Sequence, residues 1–478
     1  MKKRNHMAII SSYFKDESYG LLGPQMAASV IEENTDYDCI IIAVTRDDDK
    51  LLIKSFLSDY FRKERPVIGF SSLSGREDLF SFAKELKDEG ATTILAGPQA
   101  YTDYTGEIGW KDHPYRFKGL SDCFSFSLKG PAEQVIPILK EIENQDNWPP
   151  LPGVTIIGKD GRSITNIEKR WNETFLKSVD WNNLYGIGKE GLMPIRISTG
   201  QVLQQIGCPH AGNDRWINVD HPAALNSSKD KKIGILSKGC SFCDVATDKG
   251  FYGELGMETV LGQIDCLPED EDGRKIPFEL INENPLFMLP RILNQSKERN
   301  MRMSQINLIL RADYLLRGET KLRESLRIAG ENGMRILVSS VGFEAFDDSL
   351  LRNFNKGIDV ETNLKAIALM RSLKEEFPGE WGYSKTEGAT HGFIHPTPWD
   401  TDNSLANTRR MISIYGLESD ILPPNSTPLI IHHASALGDW IRKVEMQEQI
   451  RFRRYGSIIG WWNHEKDAYP NGSRCSRT

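Results

Sequence analysis

Short apolar segments alternate with segments of helical periodicity along most of this 478-residue chain. Within residues 1–140 the apolar runs include "MAIISSYF", "YDCIIIAVT", "PVIGFSSL" and "TTILAGPQAY", and helical stretches such as "REDLFSFAKELKDEG" separate them. Strands separated by helices of roughly 10–15 residues indicate βαβ units and a parallel sheet. Nearly continuous apolar strands fit burial on both faces of such a sheet. The sequence therefore predicts an α/β protein.

The alternation resumes at about residue 201 and continues to about residue 400. Apolar runs such as "IPFELINEN", "QINLILRADY" and "MRILVSSVGFE" alternate there with helical segments. Repeated β-then-α units predict a full or partial β/α barrel of the TIM type. Residues 146–200 contain the proline cluster and the turn of "NQDNWPPLPGVTIIGKDGRS", so they are expected to form a linker with a small hairpin. Residues 401–478, with Trp440, Trp461 and Trp462, are expected to form a small C-terminal cap.

The carboxyl ends of the predicted strands are the expected ligand-binding positions, because open parallel sheets and barrels bind ligands there. In the first domain glycine lets the backbone approach a flat ligand closely, although glycine and proline also simply end strands. No G-x-G-x-x-G motif follows the first strand, so a dinucleotide is not favoured. The ends in the first domain hold Ser71, Ser72, Gly97, Pro98 and Gly130, and those in the barrel hold Asn282, Glu283, Asn284, Arg311, Glu344 and His395.

Composition narrows the class of protein. The net charge is -7 and no basic stripe stands out, so nucleic acid is not an expected partner. No run approaches 18 apolar residues, so no membrane span is expected. The first residues lack the long apolar segment and cleavage site of a secretory signal. Seven cysteines, an odd number, then indicate a reducing compartment, and a cytoplasmic protein is expected.

The segment "SKGCSFCDVATDKG", residues 237–250, places Cys240 and Cys243 as a C-x2-C pair on a glycine-led turn. Two thiolates cannot complete a four-coordinate metal site, so a third cysteine is needed. Cys208 ends a predicted strand of the same barrel, and the thirty-one residues between it and Cys240 include the polar stretch "NSSKDKK". Closing an insertion of this length costs little additional entropy. Cys266, in or after the following helix, is the alternative third ligand.

Three thiolates leave one iron of a [4Fe–4S] cluster open. They equally leave one position of a zinc ion open, which His210 or His221 could fill. Spacing alone does not choose between a cluster and zinc.

Several segments together resemble the cobalamin-dependent radical S-adenosylmethionine (SAM) enzymes. "ILSKGCSFCDVATDKGFYG" is similar to the cluster loop of that family, and "VSSVGFEAFDDSLLRNFNKGIDVETNLKAI" is similar to its fourth barrel strand and the next helix. "ELINENPLF" and "LILRADYLL" resemble the second and third strands, while "VIGFSSL", "ILAGPQA" and "LKGPAEQVIPIL" resemble strands of the cobalamin domain. The resemblance covers roughly residues 1–400. The family spacing is C-x3-C-x2-C, whereas Leu236 stands where its first cysteine would be, so Cys208 gives C-x31-C-x2-C.

The resemblance implies a Rossmann-like cobalamin-binding domain (1–145), the linker (146–200), a partial β/α TIM-type radical SAM barrel (201–400) and the cap. It implies three cofactors: a [4Fe–4S] cluster, SAM and cobalamin. It also implies an electron donor such as flavodoxin or ferredoxin. The cluster ligands would be Cys208, Cys240 and Cys243. The cofactor-binding residues would be Ser71, Ser72, Gly97, Pro98, Gly130, Phe242, Asn282, Glu283, Arg311 and Glu344.

The implied activity is a radical C-methyltransferase that acts on an unactivated carbon of a small metabolite or natural-product intermediate. Cleavage of SAM would give a 5′-deoxyadenosyl radical, and a methyl group carried on cobalt would be delivered to the substrate carbon. Two alternatives stay open. One uses the same cofactors for rearrangement, cyclisation or oxidation without methyl transfer. The other, from a different class, is a non-catalytic zinc- and corrinoid-binding protein.

The histidines and the "NKG" segment have weaker interpretations. The first domain lacks a D-x-H-x-x-G segment and has no histidine between His6 and His113, so no histidine is expected beneath the cobalt. Asn355 and Lys356 are expected to form a helix-end turn. Arg311 is expected to pair with a SAM carboxylate, or with Asp313 or Glu344. Candidates for substrate binding or proton transfer, for which a structural role is the more common one, are His391, His395, His432 and His433.

Overall fold

The protein is described here from a computed structural model. The described residues are 5–100, 107, 123–128, 130–140, 142, 154–157, 163–165, 172–189, 191–225, 231–243, 251–423 and 426–465. Part of the expected cluster loop, residues 244–250, and most of the expected linker hairpin lie outside this set.

A mainly parallel sheet organises the first part of the chain, with the strand order β7-β6-β5-β4-β3-β1-β2-β8-β9. Its strands are β1 (Asn5–Ser12), β2 (Tyr37–Val44), β3 (Val67–Ser71), β4 (Thr92–Ala96), β5 (Phe126–Leu128), β6 (Val154–Ile157), β7 (Ser163–Thr165), β8 (Leu184–Ile187) and β9 (Leu192–Pro194). Its helices are α1 (Leu22–Asn34), α2 (Lys50–Phe61), α3 (Glu77–Asp88) and α4 (Val135–Lys140). The order of the strands changes direction at β1, which pairs in parallel with β2 on one side and with β3 on the other.

The central strands are buried on both faces, as their apolar composition predicts. Along β1, Ile9 belongs to one hydrophobic cluster and Ala8 and Ile10 to the other. Because successive side chains of a strand point to opposite faces, this division shows helices packed on each side of the sheet. The α/β class predicted from the alternation is confirmed.

The segment expected to be a linker supplies strands to both edges of this sheet. The hairpin β6–β7 pairs antiparallel with β5 at one edge. At the other edge β8 pairs in parallel with β2, and β9 pairs antiparallel with β8. Residues 146–200 therefore include strands that complete the first sheet. The domain boundaries at 145 and 200 stay predictions.

A second parallel sheet follows, with the order β10-β15-β16-β17-β18 and with β19 paired to β17. Its strands are β10 (Gly200–Leu203), β15 (Phe278–Ile281), β16 (Gln305–Arg311), β17 (Arg335–Glu344), β18 (Trp381–Gly382) and β19 (Gly392–Phe393). The helices that alternate with them are α5 (Met257–Cys266), α6 (Leu289–Glu298), α7 (Ala312–Arg317), α8 (Glu319–Glu331), α9 (Asp348–Asn353) and α10 (Val360–Glu376). Within the described residues this sheet is open, with the alternation of a partial β/α barrel.

Two antiparallel pairs are inserted between β10 and β15. They are formed by β11 (Gln205–Gly207), β12 (Asp214–Asp220), β13 (Lys232–Lys238) and β14 (Phe251–Glu254). The run "QVLQQIG", expected to be one strand, is divided at Gln204, because β10 pairs with β15 whereas β11 pairs with β14. β12 and β13 form a hairpin, and residues 226–230 of the polar stretch "NSSKDKK" lie outside the described residues.

The C-terminal part packs on both sheets. It contains α11 (Asp402–Ile414), α12 (Leu417–Asp420), β20 (Ile431–His432), α13 (Ala436–Glu448), β21 (Arg451–Tyr455) and β22 (Ile458–Glu465). Trp440 of α13 is fully buried against Trp399, with 5.2 Å between ring centroids, so it is a core residue. No helix in the described part of the chain has the length and apolar character needed to cross a membrane.

Candidate functional site

The loop after β13 carries the C-x2-C pair on a tight turn. The Cys243 amide donates to the Cys240 carbonyl at 3.1 Å, so the two cysteines stand at either end of one turn. The Ser241 amide donates to the Phe354 carbonyl at 2.8 Å, and the Ser241 hydroxyl donates to the Asn353 carbonyl at 2.7 Å. Phe242 packs edge-to-face on Phe354. The loop is therefore held by the end of α9 rather than by solvent-exposed contacts.

Cys208 lies beside this loop because of the β12–β13 hairpin. Asp214 and Lys238 are paired at the open end of the hairpin, so the chain returns to its starting point. Cys208 precedes the short 3-10 turn Pro209–Ala211, and Ala211 lies directly against Gly239. The structure thus brings Cys208, Cys240 and Cys243 to one region of the protein. Their role as cluster ligands stays a prediction.

Leu236 and Cys266 occupy different places. Leu236 is 45% exposed on the outer face of β13, while its neighbours Ile235 and Ser237 are buried. The position of the usual first family cysteine is therefore turned outward here. Cys266 is exposed at the end of α5, and the next residue, Leu267, packs against Gly200 at the start of β10. Cys266 is thus placed near the amino ends of the strands, whereas Cys208 follows their carboxyl ends.

Arg311, the last residue of β16, links the cysteine loop to the barrel. Its Nη1 lies 3.7 Å from the Cys240 sulfur, and its Nη2 donates to the Lys356 carbonyl at 2.6 Å. Its Nε donates to Asp313 at 2.9 Å, which is the structural pairing weighed from the sequence. Glu344, the last residue of β17, instead pairs with Lys356 at 2.8 Å and adopts a left-handed φ of 60°.

Charges converge on Cys240. Burial raises the pKa of its thiol, and the cations of Lys356 and Arg311 act in the opposite direction. Burial likewise raises the pKa of the Cys208 thiol, and the nearby Glu283 and Cys240 raise it further. Burial raises the pKa of the Glu283 carboxyl too. These residues form one partly buried charged group in which the two cations favour the thiolate form of Cys240.

The donors of this region fit a cluster with a bound polar ligand. The Asn282 side chain is buried, and its Nδ2 has no hydrogen-bond partner among the residues described, so it is available to a ligand.

Across the described ranges, no three His, Cys, Asp or Glu side chains lie close enough to hold a single metal ion. His210 donates to the Asn355 carbonyl and His221 lies 3.1 Å from Glu448. Both histidines that could complete a zinc site therefore have other contacts.

The carboxyl edge of the first sheet carries the second group of candidates. Ser71 ends β3, and Ser72 is buried with a hydroxyl that lacks a partner among the residues described. Gly97 follows β4 with a φ of 77°, and a Cβ there would lie 2.7 Å from the Ser71 hydroxyl. Pro98 and Gly130 are exposed, and Gly130 has a φ of 103°. Gly97, Pro98 and Gly130 are thus exposed at this edge, next to a buried Ser72 hydroxyl that lacks a partner among the described residues.

Residues from the C-terminal part reach this edge, which the sequence did not reveal. The Gln99 amide donates to the Ser74 hydroxyl at 2.7 Å, and the Ser457 hydroxyl donates to Gln99 at 2.9 Å. His432 Nδ1 lies 3.1 Å from the same Ser74 hydroxyl. Single serines and glutamines carry no spacing signal, so no local pattern identifies this network.

The other candidate histidines are engaged in structural contacts. His391 accepts from the Val341 amide at 3.0 Å through Nδ1, and donates to the Tyr383 carbonyl at 2.7 Å through Nε2. His395 Nδ1 lies 3.0 Å from Asp400. His433 is buried, and its amide donates to the Ser457 carbonyl. For His391 both ring nitrogens are occupied by backbone, which supports a structural role.

Among the comparisons with known proteins, the one with solved structures identifies the fold. No family model and no curated protein matches this sequence. A structure of the cobalamin-dependent SAM radical enzyme OxsB, with aqua-cobalamin and SAM bound, matches with a TM-score of 0.61 at 12% identity, covering 96% of this chain and 64% of OxsB. The radical SAM methyltransferase TsrM from Kitasatospora setae, with cobalamin and a [4Fe–4S] cluster bound, matches with a TM-score of 0.57 at 11% identity, covering 92% of this chain and 75% of TsrM. This chain thus spans about two thirds of the length of OxsB. The chain has the fold of the cobalamin-dependent radical SAM enzymes.

Proposed function

We propose that this protein is a radical C-methyltransferase that uses a [4Fe–4S] cluster, SAM and cobalamin. The observation that carries the proposal is the approach of Cys208 to the Cys240–Cys243 turn, beside Arg311 and Glu344 at the carboxyl ends of the partial barrel. The substrate class is a small metabolite or natural-product intermediate. The cluster would receive its electron from a small redox protein.

Each residue near the turn has a definite task in this proposal. Cys208, Cys240 and Cys243 would hold the cluster as thiolates. When bound, the cluster, SAM and cobalamin supply radical formation and a transferable methyl group. The unpartnered Asn282 Nδ2 would donate to a polar group of SAM, and Glu283 would lie beside it. Arg311 would place its positive charge beside Cys240 and towards a carboxylate.

The edge of the first sheet would bind cobalamin. Gly97 and Gly130 leave the backbone free of side chains where a flat macrocycle would lie, and the Ser72 hydroxyl would donate or accept one hydrogen bond. The contacts of Gln99 and Ser457 hold the C-terminal part against the same edge, which would help to exclude water from the cavity.

A second candidate function uses the same cofactors for rearrangement, cyclisation or oxidation. It is supported by the match to OxsB, a cobalamin-dependent SAM radical enzyme, since this candidate needs the same cofactors. Both candidates need the same residues for radical formation. They differ in whether a methyl group leaves SAM.

The test is product analysis on protein prepared and reconstituted without oxygen, incubated with SAM, cobalamin and a chemical reductant. S-adenosylhomocysteine formed together with 5′-deoxyadenosine supports methylation, and 5′-deoxyadenosine alone supports the second candidate. The Cys240→Ala variant should form neither product. About four irons per chain are expected in the parent protein. A colourless protein with one zinc per chain would overturn both candidates in favour of a non-catalytic binding protein.

A further inference from the structure

The turn after α9 contacts several residues that surround the cysteine site. The carbonyl oxygens of Asn353 and Phe354 both accept hydrogen bonds from Ser241, which lies between the two cysteines of the turn. The Lys356 carbonyl accepts from Arg311, whose Nη1 approaches the Cys240 sulfur. The sequence "NKG", residues 355–357, predicts a helix-end turn. Its contacts indicate a more specific role.

Asn355 contacts both segments that carry the proposed cysteine ligands. Its side-chain amide donates to the carbonyl of Gly239, the residue before Cys240, at 2.6 Å. Its own carbonyl lies 3.0 Å from Nε2 of His210, two residues after Cys208. Because a carbonyl can only accept, the imidazole N–H is the donor. Asn355 therefore joins two segments that are far apart in the sequence.

The backbone of the NKG turn is shaped for this contact. Asn355 has a φ of 50° and Gly357 a φ of 71°, and asparagine is one of the few non-glycine residues that adopts this left-handed region readily. A Cβ on Gly357 would lie 3.2 Å from Cε1 of His210. Glycine at 357 thus leaves space for the His210 ring next to the Asn355 carbonyl.

We infer that Asn355 is a positioning residue that fixes Cys208 against the Cys240–Cys243 turn, and so compensates for the division of the usual three-cysteine motif. The inference rests on the proposed function, since it concerns the same cluster. In a motif with all cysteines in one loop, the loop itself sets their spacing. Here the hairpin insertion separates them, so tertiary contacts set the spacing, both the direct contact of Ala211 with Gly239 and the two hydrogen bonds of Asn355. Partners of this kind around metal ligands typically change metal affinity by about 10–100-fold.

The test compares Asn355→Gly with Asn300→Gly. Glycine keeps the left-handed backbone and the carbonyl at 355 but removes the side-chain donor. Asn300 is exposed, has a φ of 59°, and lies far from the site in sequence, so its variant reproduces the backbone change alone. Cluster loss to an iron chelator should be about tenfold faster in Asn355→Gly than in the parent protein, and unchanged in Asn300→Gly. The electron paramagnetic resonance spectrum of the reduced cluster should also change only in Asn355→Gly.

His210→Phe provides the second arm, because phenylalanine keeps a ring against Gly357 and removes the donor. Its effect and that of Asn355→Gly should not add in the double variant, since both release the same constraint. Thermal unfolding of the apoprotein separates these effects from misfolding. Parent-like chelation kinetics and spectra in both single variants, on a parent protein that holds the cluster, would overturn the inference alone. A parent protein without an iron–sulfur cluster would overturn the proposed function and the inference with it.

Discussion

Ala211 lies directly against Gly239, so that a Cβ on Gly239 would stand 3.2 Å from both the Cα and the Cβ of Ala211. Ala211 is three residues after Cys208, and Gly239 is one residue before Cys240. This close approach of two backbones joins the two cysteine-bearing segments directly. It requires glycine for a second reason, because Gly239 has a φ of 74°.

We expect Gly239→Ala to impair the cysteine site. The new methyl group meets backbone, which cannot move aside as a flexible side chain could. The matched control is Gly273→Ala, where φ is 67° and no atom lies within 4 Å of the new Cβ. Both variants should lose about 1–2 kcal/mol of stability from the backbone conformation, measured by denaturant unfolding. Only Gly239→Ala should also lose bound iron. Equal iron content in the two variants would contradict the importance of this contact.

Cys208→Ala and Cys266→Ala should differ in iron content. Cys208 is half-buried on the segment whose Ala211 meets Gly239, whereas Cys266 is exposed at the other end of the strands. Removing one of three thiolates should abolish a stable [4Fe–4S] cluster, while removing an exposed cysteine elsewhere should leave it intact. Iron and sulfide analysis of anaerobically reconstituted protein makes the comparison. The reverse result would assign the third ligand to Cys266.

Lys356→Met should lower the midpoint potential of the cluster. The Lys356 ammonium is almost fully buried and interacts with Cys240, so its positive charge stabilises the more negative, reduced cluster. A tenfold loss in the equilibrium constant for reduction corresponds to about 59 mV. Potentiometric titration followed by electron paramagnetic resonance measures the shift.

Two controls accompany this variant. Lys356→Arg keeps the charge and should keep the potential close to that of the parent protein. Lys365→Met removes a lysine that is exposed on α10 and should change neither potential nor stability appreciably. Lys356→Met also leaves Glu344 buried without its cation, which should cost about 3–5 kcal/mol in unfolding free energy. An unchanged potential would show that this charge does not act on the cluster.

Ser72→Ala should weaken cobalamin binding without lowering the stability of the apoprotein. The Ser72 hydroxyl is buried without a partner among the described residues, so removing it should leave the stability of the apoprotein unchanged or raise it by up to about 1 kcal/mol. If cobalamin bonds to this hydroxyl, affinity should fall about fivefold, equivalent to roughly 1 kcal/mol. Equilibrium binding followed by absorbance measures the affinity. Parent-like affinity would remove Ser72 from the binding site.

Arg454→Met should weaken the attachment of the C-terminal part to Glu107. Arg454 donates to Glu107 at 2.9 and 2.8 Å and to Glu445 at 2.9 Å, and all three side chains are buried. Methionine would leave two buried carboxylates with less compensation, at a cost of about 3–5 kcal/mol. The exposed neighbour Arg453→Met is the control. Limited proteolysis should cut the Arg454→Met protein faster near the cap, and equal protection of both variants would contradict this role.

Local sequence patterns were enough to predict many of the strands and helices and part of the candidate site. Continuous apolar runs were enough to predict the strands that contain Ile9 and Phe278, because a strand buried on both faces needs apolar side chains on both. The spacing of Cys240 and Cys243 determined that they share one turn, since two intervening residues allow little else. The apolar runs of β16 and β17 likewise predicted that Arg311 and Glu344 stand at the carboxyl ends of strands.

Only the tertiary structure decided which distant residues meet. The register of β12 with β13 returns Cys208 to Cys240, and the division of "QVLQQIG" at Gln204 depends on which strands pair. The sequence left Asn355 and Lys356 as a simple turn, and it gave no sign that Arg454 would meet Glu107, 347 residues away. Side-chain periodicity encodes burial and local geometry, whereas such contacts depend on the packing of whole elements against each other. That packing is set by many small interactions at once, so no single stretch of the sequence contains it.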